Sequence, residues 1–176
     1  MSDIYFYKYI VNKQVFFRSK HCYALVNLKP LIQGHVLLVP YNPEIYRFNQ
    51  LSDEESIDYM RSLQTLSRFL TWNYKADALN IAIQDGPESG QSVPHLHTHL
   101  IPRFKTDDLK NDRVHQQLSK VDILTDFEAR RLAYTQKPTR VRDDSQRVAR
   151  TDDEMEQEAN ELKRKFEEFS QLNPHQ

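Results

Sequence analysis

Between Pro94 and Pro102 the chain reads His95-Leu96-His97-Thr98-His99-Leu100-Ile101, every second residue an imidazole. Side chains alternate faces along a strand, so in extended form His95, His97 and His99 project from one face, about 7 Å apart. The chain has seven His but only three Gly. Gly86 and Gly90 lie in the loop Gln84-Asp85-Gly86-Pro87-Glu88-Ser89-Gly90-Gln91-Ser92 just before this strand, and Gly34 directly precedes His35. A Gly-poor chain that sets its glycines beside histidines is using them where backbone must come close to something bound.

The elements around this segment alternate strand and helix patterns. Tyr5, Tyr7 and Tyr9 alternate, Val15-Phe16-Phe17 is a short β-type run, and Cys22 to Leu28 reads as a strand broken by Lys29-Pro30. Gly34 opens His35-Val36-Leu37-Leu38-Val39, which Pro40 stops. The short spacing predicts neighbouring antiparallel strands, with Asn27 and His35 at the edge of one pocket. Ser52-Asp53-Glu54-Glu55 is a capping box. It opens a helix whose stripe at helical spacing is Ile57, Met60, Leu63, Leu66 or Ser67, and Leu70. Leu79 to Gln84 is a further strand, delivering Gln84 to the Gly-bearing loop, and Pro102-Arg103 is expected to end the His strand.

Residues 107–121 suggest a second, mostly surface helix. The high charge density and scattered apolar residues of 122–150 mark a variable segment, of which 136–150 reads as flexible linker. Thr151-Asp152-Asp153-Glu154 is a second capping box. Met155, Ala159, Leu162, Phe166 and Phe169 follow at steps of four and three, a helix that should dock on the body or on a second subunit. The expected division is therefore one domain over 1–121, the linker over 122–150, and a docking helix over 151–176.

With 176 residues and a net charge of −1, the chain suits one domain and is unsuited to holding nucleic acid through backbone charge. The single Cys22 excludes an internal disulfide and a multi-cysteine zinc site, which fits a reducing compartment. No run is apolar enough to span a membrane, and the first residues lack a signal pattern. These features lead to the expectation of a cytoplasmic protein, with the nucleus as a second compartment.

Three readings of the histidines compete. They are ordinary hydrogen-bonded side chains; or they chelate a metal such as Zn²⁺, with Asp85 or Glu88 completing the set; or one of them is a nucleophile. A neutral imidazole nitrogen can attack phosphorus and form a phosphoramidate, provided its other nitrogen is protonated and held, as by a backbone carbonyl. A flanking His can then stabilise the departing oxygen, while the amides of Gly90, Gln91 and Ser92 cradle phosphate oxygens and Gln84 and Gln91 donate without adding charge. Chemistry and spacing favour phosphoryl or nucleotidyl transfer.

His95-Leu96-His97-Thr98-His99-Leu100-Ile101 resembles the signature of the histidine triad (HIT) superfamily. Gly34-His35-Val36, Asn27-Leu28-Lys29-Pro30 and above all Gln84 to Val93 are similar to its fragile histidine triad branch, the diadenosine polyphosphate hydrolases. That resemblance implies an α+β fold, a HIT-like curved antiparallel sheet with a long helix packed on it, working as a two-fold homodimer. It implies that His97 attacks the α-phosphorus of a dinucleoside polyphosphate and carries AMP, that His99 donates toward the bridging oxygen, and that His95 and His35 support the ring network. It further implies that Asn27 meets the ribose, Gln84 the phosphate, and Gly90, Gln91, Ser92 and Val93 form the phosphate loop, with Lys8 near the ligand at a position where His is more usual. No tightly bound cofactor is implied, though Mg²⁺ or Mn²⁺ suits the substrate phosphates. Thr98 departs from an apolar position in the motif, and His115 stands where the branch has Tyr. Within the superfamily a nucleoside phosphoramidate hydrolase is the rival reading. Outside it, the rival is a signalling module for which the bound dinucleotide is the message.

Overall fold

A computed structural model describes residues 2–107, 114 and 149–174. The chain begins with a small hairpin, β1 (Tyr5–Phe6) and β2 (Tyr9–Ile10), followed by β3 (Val15–Arg18), β4 (Cys22–Val26) and β5 (Val36–Pro40). Helix α1 (Asp53–Tyr74), β6 (Ala78–Ile83), β7 (Thr98–Arg103) and a terminal helix α2 (Asp152–Leu172) complete it. The five longer strands form one antiparallel sheet in the order β3-β4-β5-β7-β6. This is the α+β architecture expected, with the histidine-bearing strand set between β5 and the edge strand β6.

Period-two patterning decides which face each residue serves. Ala24, Val26, Val36, Leu38 and Leu100 point to the side covered by α1 and α2, into a core with Leu66, Phe69, Leu70, Met155 and Leu162. Tyr23, Leu25, Leu37 and Val39 point the other way and pack with Ile4, Val11 and Val15 from the N-terminal segment. All five residues of β4 are buried, as befits a strand covered on both faces. The register pairs Leu38 with Thr98 and Leu37 with His99, so Thr98 faces the helices and His99 faces away from them.

Both capping boxes form as the sequence indicates. Ser52 accepts from the Glu55 amide while Glu55 accepts from the Ser52 amide (2.9 Å), and Thr151 and Glu154 repeat the pattern. The terminal helix docks on the body, burying Met155, Ala159, Leu162 and Phe169. Its Phe166 lies edge-on to Phe17 (5.2 Å between ring centroids) and Phe69 (5.1 Å), which ties α2 to β3 and α1 at once.

Several expectations change. The alternation of Tyr5, Tyr7 and Tyr9 is a hairpin rather than one strand, because Tyr7 takes a left-handed φ of 58° in the turn. The buried face of α1 is Tyr59, Ser62, Leu63, Leu66, Phe69 and Leu70, leaving Ile57 (55 % exposed) and Met60 (50 %) outside it. The face is rotated because the Tyr59 hydroxyl finds partners inside the core, Leu38 O and Thr98 Oγ1. The His strand ends at Arg103 as expected, but Pro102 does not stop it: Pro102 sits within β7 opposite Leu79. It is tolerated there because β5 stops pairing at Leu100, so the missing N–H costs no ladder bond on that side. The helix expected over 107–121, with His115, and nearly all of the linker expected over 122–150 lie outside the described residues, although Val114 is seen buried against Ile101. Arg150, at the far end of the expected linker, is already bonded to the body.

Candidate active site

Four histidines converge on the sheet face opposite the helices, and all are buried: His35, His95, His97 and His99. His99 belongs to β7, whereas His95 and His97 precede it in an irregular stretch whose geometry is fixed by main-chain contacts. Leu96 N–H donates to Ile45 O (2.7 Å) and His95 N–H to Val93 O (2.8 Å).

Backbone partners settle where each ring carries its proton, because an amide N–H only donates and a carbonyl only accepts. His97 Nδ1 lies 2.8 Å from His95 O, so Nδ1 holds the hydrogen and Nε2 keeps the lone pair. Tyr7 N–H donates to His95 Nδ1 (3.0 Å), so His95 Nε2 is protonated and donates to Pro40 O (2.9 Å). Leu31 N–H donates to His35 Nδ1 (3.1 Å), which places the His35 proton on Nε2, 2.9 Å from His99 Nδ1. His99 accepts there and carries its own proton on Nε2. The Asn27 amide nitrogen is 3.1 Å from His35 Nε2, and its Oδ1 accepts from Lys29 N–H (3.0 Å).

Burial away from water opposes the charged imidazolium, and it pushes the His95 pKa down to about 3, with the neighbouring His97 adding to the effect. The same desolvation lowers His97, against the raising effect of the His95 carbonyl. Both rings are therefore neutral near pH 7, and His97 presents a nucleophilic nitrogen without an added base. Phe6 of the hairpin lies edge-on to the His97 ring (5.4 Å, 82°) and tilted over His95 (5.7 Å). His97 and His99 meet edge to face at 5.0 Å.

The loop before the triad is more self-contained than its composition indicates. Gly90 N–H donates to Pro87 O and Gln91 N–H to Gly86 O, both at 3.1 Å. The Gln91 side-chain nitrogen donates to Tyr46 O (2.8 Å). Two of the three amides expected to cradle a phosphate are thus spent holding the 3₁₀ turn Pro87–Ser89, whose ends need the positive φ of Gly86 (114°) and Gly90 (91°). Gln84 donates through Nε2 to Ser89 O (3.3 Å), which leaves its Oε1 buried without a partner among the described residues. The Ser92 hydroxyl likewise makes no hydrogen bond among the described residues. Val93 lends its carbonyl to His95, and Lys8 sits at the hairpin tip with its ammonium 5.8 Å from the Tyr7 ring centroid.

Sequence reasoning missed the segment that grips this loop. Ile45 O and Tyr46 O accept from Leu96 and Gln91, Arg47 Nη1 donates to Asp85 O (3.3 Å), and Phe48 N–H donates to Asp85 Oδ1 (2.8 Å). The Arg47 guanidinium lies flat against Gly86, where an added Cβ would come within 2.8 Å of Cζ. Asp85 is therefore a structural acceptor. Among the described residues no three His, Cys, Asp or Glu side chains converge as a ligand set. Of the two signals available, Thr98 stands out as the polar residue at an apolar motif position, and Tyr59 is its buried partner (2.8 Å). The main-chain acceptors leave no signal in the sequence.

An antiparallel sheet presenting tautomer-fixed imidazoles beside a Gly-bearing polar loop defines a protein of the histidine triad class. The chain belongs to the HIT family, whose domain model matches residues 10–106. It is 43 % identical over 197 aligned residues to a bis(5'-adenosyl)-triphosphatase of Saccharomyces cerevisiae, covering 97 % of this chain and 95 % of that one. A Schizosaccharomyces pombe asymmetrical bis(5'-nucleosyl)-tetraphosphatase is 40 % identical, over 94 % of this chain and 96 % of its own. The crystal structure of Plasmodium falciparum diadenosine triphosphate hydrolase in complex with cyclomarin A superposes with a TM-score of 0.69 at 27 % identity, covering 96 % of this chain and 86 % of that one.

Proposed function

We propose that this protein hydrolyses diadenosine polyphosphates, with diadenosine triphosphate cleaved to AMP and ADP. The observation that carries the mechanism is the 2.8 Å contact of His97 Nδ1 with its neighbour's carbonyl, which leaves Nε2 as the free lone pair. His97 Nε2 attacks the α-phosphorus, a P–N bond forms as the bridging P–O bond breaks, and ADP leaves as its anion while accepting a hydrogen bond from His99 Nε2–H. Water then attacks the same phosphorus. The P–N bond pair returns to His97, water's proton is released, and AMP departs. Asn27 holds the ribose, and Gln84 and Ser92 offer the polar atoms that the loop has not already used. Mg²⁺ or Mn²⁺ accompanies the substrate's clustered phosphates rather than a protein ligand set.

The working unit in this reading is a two-fold homodimer. Its support is β6, a six-residue edge strand free of charged residues and proline, with Ile81 48 % exposed. Such an edge is a ready template for pairing. Mass spectrometry of protein quenched during turnover tests the intermediate: AMP should be found on His97. His97→Asn should lose about 10⁴-fold or more in kcat while still binding substrate. Turnover retained in that variant would sink the mechanism. Side-by-side rates on diadenosine triphosphate, diadenosine tetraphosphate and an adenosine phosphoramidate decide the substrate, and the triphosphate should be fastest.

A further inference from the structure

We propose that Arg150 is a positioning residue for nucleoside binding, setting the Asn27–Leu28 main chain from outside the histidine site; this rests on the reading of Asn27 as the ribose contact. Arg150 bonds to two consecutive carbonyls. Its main-chain N–H donates to Leu28 O (3.0 Å), and its Nε (3.1 Å) and Nη2 both donate to Asn27 O. The remaining arm of the guanidinium, Nη1, pairs with Glu158 of α2, and both side chains are mostly buried, 20 % and 18 % exposed. Only a planar, multi-donor group serves a carbonyl and a carboxylate at once in this way.

Asn27 is the first residue beyond β4, where the ladder no longer fixes the backbone. What fixes it instead is Arg150, 123 residues away in the chain. On the other side of the same residue, the Asn27 side chain meets Lys29 N–H and His35 Nε2, and His35 meets His99. A continuous run of contacts thus leads from α2 through Arg150, Asn27 and His35 to the ring beside the nucleophile. Because Glu158 balances its charge, Arg150 acts through geometry and not as a phosphate cation. Helix α2 is anchored by Met155, Ala159, Leu162 and Phe169, so the Glu158 carboxylate that holds the guanidinium sits on a rigid element. Nucleoside affinity consequently depends on the docking of the C-terminal helix.

The test uses the full chain and the variants Arg150→Ala, Arg150→Lys and Asn27→Ala, with steady-state kinetics on diadenosine triphosphate and on its analogue lacking the ribose 2′- and 3′-hydroxyls. Arg150→Ala should raise KM for the natural substrate about tenfold, the loss of roughly one charge-assisted hydrogen bond's worth of alignment, and leave kcat within about twofold. For the hydroxyl-free analogue the KM ratio between wild type and variant should collapse to below about twofold, since no ribose contact remains to be misplaced. Arg150→Lys keeps one donor and should fall between. It also carries the same comparison should the alanine variant not fold. An unchanged KM in both Arg150 variants, or an equal rise with both substrates, overturns the proposal. If Asn27→Ala raises KM and the Arg150 variants do not, the Arg150 role alone fails; if Asn27→Ala leaves KM unchanged, the ribose reading fails.

Discussion

Tyr59 and Thr98 lock helix α1 to the strand that carries His99, and the lock can be measured by breaking it from each side. Tyr59 Oη lies 2.8 Å from Leu38 O and 2.8 Å from Thr98 Oγ1, and both side chains are essentially inaccessible to solvent. Leu38 O can only accept, so the phenol donates to it and accepts from the Thr98 hydroxyl. Tyr59→Phe leaves the Thr98 hydroxyl buried with no acceptor and removes one donor from Leu38 O, a loss of about 2 kcal/mol. Thr98→Val is near-isosteric and strands no donor, so it should cost less, about 0.5–1 kcal/mol. In the double variant the stranded hydroxyl is gone, and the total should be only about 1–1.5 kcal/mol, a coupling of roughly 1.5 kcal/mol. For a domain of this size that coupling is some 3–6 °C in Tm, well resolved by urea titration and thermal unfolding followed by circular dichroism. If the two single losses simply add, the hydroxyls are not bonded to each other and the account of Thr98 as a deliberate polar substitution in an apolar position is wrong.

Further outcomes are expected elsewhere. His95 and His97 are protonated more readily in the unfolded chain, near pH 6.5, than in the folded one; stability is therefore complete above pH 6.5 and falls as pH drops below it, by up to about 1.4 kcal/mol per pH unit for each ring. Thermal unfolding between pH 7.5 and 5 should show this slope, and a flat profile would refute the neutral assignment. Gly34→Ala should cost about 2–4 kcal/mol, because φ is +81° and the new Cβ would lie 2.5 Å from the Tyr74 ring. Urea unfolding of that variant with and without Tyr74→Leu should recover only the steric part. Asp85→Ala should loosen the loop by removing the acceptor of Phe48 N–H, raising KM while His97 remains competent. An unchanged KM would show that Asp85 does not shape the site.

Much of this architecture is written in side-chain order. The apolar runs at Cys22–Val26 and Val36–Val39, the capping boxes at Ser52 and Thr151, and the stripe of α2 are all local patterns, and each forms where the pattern lies. His95, His97, His99, His35 and Asn27 were legible for the same reason. What escaped depends on main-chain atoms of distant residues. Tyr7 N–H, Pro40 O and Leu31 N–H assign the imidazole tautomers, yet any residue supplies those groups. The loop amides of Gly90 and Gln91 looked available because a composition of Gly, Ser and Gln cannot say which donors the turn uses for itself. Ile57 and Met60 misled because apolar character alone does not choose a face when a tyrosine with buried partners competes for it.

The strand order has a consequence for how the molecule is made. Among the described residues β6 pairs with β7 and with no other strand, and β5 has β7 as its second neighbour. During synthesis α1 and β6 emerge while the place between β5 and β6 is still vacant, so the nascent chain exposes two unfinished ladders until residues 98–103 arrive. The segment that fills the gap carries His99 and follows directly on His95 and His97. Placing β7 between β5 and β6 thus closes the sheet and sets His99 beside His97 in the same step.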